Sequence, residues 1–360
     1  RIVGADTKRR YAGPIFTADL TLSTKALTQV EEYNPRDLSI RVQAGMPYKQ
    51  LCDLLARNGQ MLPFDPPYQE DATIGGVVAA NICGPRQRAY GTARDYVIGV
   101  QFADHRGRLV QSGAMVAKNV AGYDLNKLFV GSWGVLGPVL TLNLRVSPIQ
   151  KYSATFAIYG LSGAEPARLR DALLRAAVPP IAVDYVNNAA ADKMRLDDAA
   201  LLVRFSCFPA VLDRVRADLA ERGFTLPEPM NEETEFYVWQ RVREWLKARS
   251  EGNVDGVVLQ ISSINSRVFF DANAAGGQVL ARAASGIVWA AYRDSESALN
   301  TLQYMETQGR RVCVLQASQA VRAARKLWVG QQSDVSIMQK LKSHFDPSGL
   351  VNKGRLYGCI

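Results

Sequence analysis

The stretch Ala72-Thr73-Ile74-Gly75-Gly76-Val77-Val78-Ala79-Ala80-Asn81-Ile82-Cys83-Gly84 decides how the chain is read. It sets three glycines and five Ala, Thr or Asn positions among apolar residues, with neither a helical nor a strand period. Glycine lacks the Cβ that would keep another surface off the main chain. A second bare run follows at Gly131-Ser132-Trp133-Gly134-Val135-Leu136-Gly137, and a third opens the chain at Gly4-Ala5-Asp6-Thr7-Lys8. Three such loops in one half of a chain point to a large ligand lying against backbone.

The bulk properties narrow the class. At 360 residues the chain exceeds the roughly 250–300 at which a single core stops growing, so two cores are expected. With 48% hydrophobic and 21% charged residues the composition is that of a folded globular protein rather than a disordered one. No apolar run approaches the roughly 18 residues of a membrane span, and no secretory signal is visible. The chain opens on Arg1 directly before a loop, which reads as a leading segment removed or missing.

The net charge of +9 is scattered, with short clusters at Lys8-Arg9-Arg10 and Arg322 to Lys326. A nucleic-acid interface needs a basic stripe with stacking aromatics, which is absent, so an acidic partner protein or an anionic cofactor suits the charge better. Five dispersed cysteines (Cys52, Cys83, Cys207, Cys313, Cys359) form no C-x-x-C pair. That excludes iron–sulfur and structural-zinc spacings and argues for a reducing, cytoplasmic compartment. With only His105, at a turn, and His344, no metal centre or histidine triad is expected.

Periodicity assigns strands to 15–23 and 38–43 and a helix to Tyr48–Arg57, with Leu51, Leu54 and Leu55 on one face. A strand pair over 96–110 turns at Asp104-His105-Arg106-Gly107. Beyond Pro148 the texture changes. Strands are predicted at 153–159, 181–187, 200–207, 257–262, 286–292 and 311–317. Helices are predicted at 165–177, 210–222, 233–248, 296–307 and near 333–345, with linkers near 148–152, 224–232 and 318–322. This pattern gives an α+β domain with an antiparallel sheet and helices on one side. Phe236, Trp239, Val242, Trp245 and Leu246 share a helical face and read as core.

The glycine loops match neither G-x-G-x-x-G nor G-x-x-x-x-G-K-[ST], which argues against the common dinucleotide and triphosphate folds. In Lys118-Asn119-Val120-Ala121-Gly122-Tyr123-Asp124, Asp124 is a candidate N-cap for a short helix bearing Leu125, Leu128 and Phe129, stopped by Gly131. That segment suits a plain capped helix or an anion site equally.

The order of these pieces is more specific than any one of them. The opening Arg-Ile-Val-Gly loop precedes Asp65-Pro66-Pro67 with Thr73-Ile74-Gly75-Gly76, then Tyr90-Gly91-Thr92 and Asp95. Lys118 to Asp124, Gly131 to Gly137 and a tail with Asn352 and Gly354 complete it. In this order nearly the whole chain resembles the vanillyl-alcohol-oxidase, or PCMH-type, FAD-binding flavoprotein family. Within that family it is similar to the FAD-binding E-subunit branch of bacterial glycolate oxidases (glycolate dehydrogenases).

The resemblance implies an α+β fold in which a PCMH-type FAD-binding domain of two α/β subdomains joins an α+β cap domain with an antiparallel sheet. It places the FAD domain at 1–148 with its N-terminal part missing, the cap at 149–320, and a returning segment at 321–360. It implies non-covalent FAD, since neither histidine lies in the matching loops. Gly4, Ala5, Asp6, Thr7 and Lys8 would hold the pyrophosphate through backbone N–H groups. Pro66, Thr73, Ile74, Gly75, Gly76, Asn81 and Gly84 would lie along the flavin and ribityl chain. Gly134, Gly137 and Val139 would approach the adenine side, and Asn352 and Arg355 the flavin edge.

Two departures bear on function. Asp6 puts a carboxylate where a pyrophosphate is expected, a repulsion unless it turns away or Lys8 offsets it. Trp133 stands where catalytic relatives commonly have glutamate. The stretch Ala284 to Ala291 matches a cap-domain signature without its histidines, and Tyr292, Arg293 and Asp294 follow with no evident base. The favoured reading is an electron-relaying FAD subunit of a glycolate-oxidising complex, whose catalytic flavoprotein and iron–sulfur subunits supply the rest. An autonomous FAD-dependent 2-hydroxy-acid oxidoreductase and a scaffold with a degenerate flavin site are the alternatives.

Overall fold

A computed structural model describes residues 1–115, 124–252, 256–324, 326–330 and 334–360. The Lys118–Tyr123 part of the motif singled out above lies outside the described residues. The N-terminal part carries a five-stranded antiparallel sheet in the order Val30–Asn34, Ser39–Gln43, Val139–Arg145, Val97–Ala103, Leu109–Gly113. Ile2–Val3 pairs in parallel with Leu22–Ser23 beside it. The helix Tyr48–Ala56 buries Tyr48, Leu51 and Leu55, as its leucine spacing predicts.

The second part is built on an eight-stranded sheet with every neighbouring pair antiparallel. Its order is Ala154–Ile158, Ala200–Phe205, Ala182–Val186, Gln278–Arg282, Ile287–Tyr292, Val257–Ser262, Arg311–Gln316, Trp328–Val329. The run from Val257 to Gln316 is a βαββαβ unit whose strands lie fourth, first, third, second. The run from Ala154 to Phe205 repeats the first–third–second part of that order.

Both faces of this sheet are buried. Phe156, Val203, Leu259, Ile261 and Val314 belong to one core cluster with Leu169 and Leu173, Val215 and Leu219, Val268, and Leu302 from four helices. Leu202, Leu280, Trp289 and Leu315 belong to the other, with the helix Glu232–Gly252 and the N-terminal module. Helices therefore flank the sheet on both faces rather than one.

Other expectations are corrected in detail. Residues 15–23 form only the two-residue strand Leu22–Ser23, because residues 16–23 are exposed and, among the described residues, only the short strand Ile2–Val3 pairs with them. Leu125, not Asp124, caps the helix Asn126–Phe129, without a side-chain hydrogen bond, and Val130 rather than Gly131 ends it. Phe236 is exposed, while Trp239, Val242, Trp245 and Leu246 are core. The supposed linker at 318–322 leads into the helix Gln319–Ala324. No helix among the described residues is long and apolar enough to cross a membrane.

Candidate cofactor cleft and adjoining chamber

The run Ala72–Gly84 contains a helix, Ile74–Ala80, which its sequence conceals because Val77, Val78 and Ala80 are buried and no polar face remains. Thr73 caps it, its hydroxyl accepting from the Gly76 amide at 3.3 Å. The Ile74 and Gly75 amides donate to the carbonyls of Met46 and Ala44. The N-terminal donors of this helix are thus satisfied within the protein. Asn81, in the left-handed conformation at φ 49°, ends the helix.

The second glycine loop hangs from the end of that helix. The Gly131 amide donates to Val78 at 3.1 Å and the Trp133 amide to Ala79 at 2.9 Å, occupying carbonyls that a helix end leaves open. Gly134 has φ 73°, and a Cβ there would lie 2.7 Å from the Asn352 side-chain nitrogen. Asn352 is a clamp. Its oxygen accepts from the Ile2 amide at 2.8 Å, and its nitrogen donates to the carbonyls of Ile2 (3.2 Å) and Trp133 (3.0 Å). One side-chain amide joins the first strand, the second glycine loop and the tail.

The opening loop is different in kind. Among the described residues, the backbone amides of Gly4, Ala5, Asp6, Thr7 and Lys8 donate to no protein group. Asp6 sits at φ 56°, and successive amides around such a residue form a nest suited to an anion. The Asp6 carboxylate is held by Arg1 at 3.1 Å, so Arg1 rather than Lys8 answers its charge. The Lys8 ammonium is buried without a hydrogen-bond partner among the described residues. Burial lowers its pKa to about 8, with Glu244 pulling the other way.

These pieces line one open cleft. Of the residues the sequence singled out, Gly4, Ala5, Asp6, Thr7, Lys8, Thr73, Gly75, Gly76, Gly134, Gly137, Val139, Asn352 and Arg355 meet there. Pro66 and Ile74 are buried outside it, Ile74 in the core. Gly84 also lies outside, since a Cβ there would come 2.3 Å from the Asp65 carbonyl oxygen. Asp65 is in turn gripped by Arg86, whose Nε donates at 2.6 Å. Burial works against that carboxylate, but Arg86 outweighs it and holds the Asp65 pKa below the ordinary range. Gly84→Ala is therefore expected to destabilise the FAD-free fold by about 1–3 kcal/mol through overpacking. Urea unfolding reads this directly; an unchanged midpoint with impaired FAD uptake would place Gly84 on the ligand instead.

Asn81 lines a second chamber that shares Ala80 and Trp133 with the cleft. Its walls come from the N-terminal module (Cys83, Gln87, Thr92) and from the inner face of the large sheet (Gln260, Trp289, Cys313). Trp289 donates to Gln260 at 3.0 Å, fixing that wall. Among the described residues the lining carries no Lys, Arg, His, Asp or Glu. Burial pushes the Cys83 thiol up to about 11 and Cys313 up to about 12, so both stay protonated near neutrality. The wall residues of the sheet were missed in the sequence because both faces are apolar, which hides the face that meets the cleft. Tyr292 and Asp294 serve structure: the Tyr292 hydroxyl donates to Ala275 at 2.7 Å, and Asp294 caps the helix Ser295–Thr307.

Residues 1–113 match the family model described as FAD binding domain. Over 148 residues the chain is 38% identical to glycolate oxidase subunit GlcE of Escherichia coli (strain K12), covering 41% of this chain and 42% of that one. It is 32% identical over 169 residues to glycolate oxidase subunit GlcD of Bacillus subtilis (strain 168), covering 47% and 36%. The D-lactate dehydrogenase of Archaeoglobus fulgidus (strain ATCC 49558 / DSM 4304 / JCM 9628 / NBRC 100126 / VC-16) matches at 36% over 140 residues, covering 39% and 31%. The matches thus span less than half the length of these curated relatives. Among solved structures, an alkyldihydroxyacetonephosphate synthase superposes with a TM-score of 0.66 at 14% identity, over 93% of this chain and 68% of that one. The likeness of fold covers both modules.

Proposed function

We propose, on the premise that residues 1–113 are an FAD-binding domain, that this chain is the FAD-binding, electron-relaying subunit of a glycolate dehydrogenase (glycolate oxidase) complex that oxidises glycolate to glyoxylate. The observation that carries the FAD reading is the run of undonated amides at residues 4–8 in a cleft beside a buried, unpartnered lysine. A pyrophosphate supplies the acceptors and the countercharge that this loop lacks. Asp6, the main argument for a decayed site, is neutralised by Arg1.

Bound non-covalently, FAD supplies the hydride- and electron-accepting chemistry. The chain's own residues bind its phosphates, fix its place against bare backbone and shield it with Trp133 and the sheet. Oxidation of a 2-hydroxy acid further needs a base for the hydroxyl proton and a cation for the carboxylate. The uncharged chamber lining favours placing those groups on a catalytic flavoprotein subunit, with an iron–sulfur subunit as the next electron carrier. In this reading residues 1–148 and 321–360 form the FAD domain and 149–320 the cap. The segment 321–360 first lends Trp328–Val329 to the large sheet and then returns to the cleft. The complex is cytoplasmic, with any membrane association made through partners.

The visible spectrum of the purified chain, with and without glycolate, tests this. The expected result is a bound-flavin spectrum that glycolate leaves unbleached until the partner subunits are added. Bleaching by the chain alone would refute the relay reading, and a colourless protein that takes up no FAD would refute the flavin site itself.

A further inference from the structure

Among the described residues, none from 149–320 lines the cofactor cleft, yet a helix of that region holds the turn that packs on Lys8. Glu244, on the helix Glu232–Gly252, accepts from the backbone amides of Tyr68 (3.1 Å) and Gln69 (3.4 Å), one on each carboxylate oxygen. Tyr68 is buried in the left-handed conformation at φ 62°, which a tyrosine keeps only where its surroundings fix it. Glu244 fixes its amide, and the amides of Asp71 (3.1 Å) and Ala72 (2.8 Å) fix its carbonyl. So held, the Tyr68 ring lies 5.7 Å from the Lys8 ammonium. The same turn delivers Thr73, whose hydroxyl leaves no room for a Cβ on Gly4.

The charges around Lys8 leave Glu244 in play. In the opening loop Arg1 pairs with Asp6 at 3.1 Å, and Arg9, Arg10 and Tyr11 follow Lys8. On the helix, Arg243 lies 3.7 Å from Glu244. Lys247 pairs with Asp71 at 2.8 Å and stands 5.5 Å from the Tyr68 ring. From the tail, Arg355 donates to the Lys8 carbonyl at 3.2 Å. Against the burial that lowers the Lys8 pKa to about 8, Glu244 is the charge that raises it.

We propose that Glu244 is a positioning residue for the cofactor: it pins the Tyr68–Gln69 backbone against Lys8 and supplies the negative charge that keeps this lysine an ammonium beside the nest of amides. The role rests on the FAD reading above. It makes cofactor binding depend on how the second module is seated, although that module adds nothing to the cleft wall.

The test compares the parent with Glu244→Gln and Asp71→Asn, each with and without Lys8→Met. Glutamine keeps the side-chain size and one acceptor, so the fold is retained. Urea unfolding of the FAD-free chain is followed between about pH 6 and pH 11, and FAD is titrated at pH 7. In the parent, stability rises from about pH 8, where the folded chain loses the Lys8 proton, to 10.5, where the unfolded chain does. Without the Glu244 charge the folded chain loses that proton earlier, so in Glu244→Gln the rise should begin at lower pH. Its FAD affinity should fall about threefold or more. Lys8→Met should abolish the shift in onset and most of the affinity difference. Asp71→Asn loosens the same seam through Lys247 and should keep the parent's onset. The proposal is overturned if Glu244→Gln keeps that onset, if it binds FAD as the parent does, or if Asp71→Asn reproduces both changes. A parent that takes up no FAD removes the flavin reading and this role together, an outcome distinct from a parent and variant that bind FAD equally.

Discussion

Replacing Lys8 with methionine is expected to stabilise the FAD-free protein at pH 7 while weakening its hold on FAD. The two effects have one cause. The Lys8 ammonium is buried without a hydrogen-bond partner, with only the Tyr68 ring at 5.7 Å and the distant pull of Glu244 to offset lost hydration. Its folded pKa of about 8 lies below the ordinary 10.5. Between those values the unfolded chain carries the proton and the folded chain does not, so stability rises with pH across that window. Below about pH 8 the full penalty applies, and the gap from 10.5 corresponds to about 3 kcal/mol at most. Urea unfolding at pH 7 and pH 10 reads both parts, with Lys8→Met more stable at pH 7 and lacking much of the rise. FAD affinity should fall about tenfold or more, because the pyrophosphate loses a charge-assisted donor. A variant less stable than the parent at pH 7, with its pH profile unchanged, would remove the argument.

Asp184→Ala is expected to be the most damaging single change in the large sheet, at about 3–5 kcal/mol. Asp184 and Arg282 stand opposite each other on neighbouring strands, form an ion pair, and are both almost fully buried. Burial pushes the Asp184 carboxyl up against the downward pull of Arg282. Removing the acid leaves a guanidinium in the core with only the Trp289 ring, 4.8 Å away, to receive it. Thermal unfolding of the FAD-free chain measures the loss. The double variant Asp184→Leu/Arg282→Met should recover most of it, since an apolar pair of similar volume carries no desolvation cost. Equal damage in the single and double variants would mean that packing, and not charge, decides this site.

How much of this was legible in the sequence depended on how local the cause was. The strands and helices of the second module follow from runs whose apolar face is internal to each element, so Ala154–Ile158, Ala200–Phe205, Val257–Ser262 and Ser295–Thr307 lie where their periodicity puts them. The helix Ile74–Ala80 was hidden because burial on most sides erases the polar stripe that reveals a helix. The short helices Asn188–Met194 and Val268–Ala275 were missed for want of length, and the strand Gln278–Arg282 was missed although it is as long as Ala154–Ile158. Residues 15–23 misled in the opposite sense, since alternation gives a strand only where an edge is available to pair with it. At the cleft, the glycine loops could be ordered but not their partners. That Asn352 grips Ile2 depends on positions 350 residues apart meeting in three dimensions, and that Arg1 answers Asp6 depends on how the opening loop curls back on itself.

Asn352 gives the site a timetable. The clamp is made 350 positions after the strand it grips. A ribosome-bound chain that has not yet released Asn352 and Arg355 has the nest of amides but nothing to fasten it against the second glycine loop. Cofactor capture then waits for Asn352, and a product stalled or clipped ahead of it is an empty protein before it is an unfolded one.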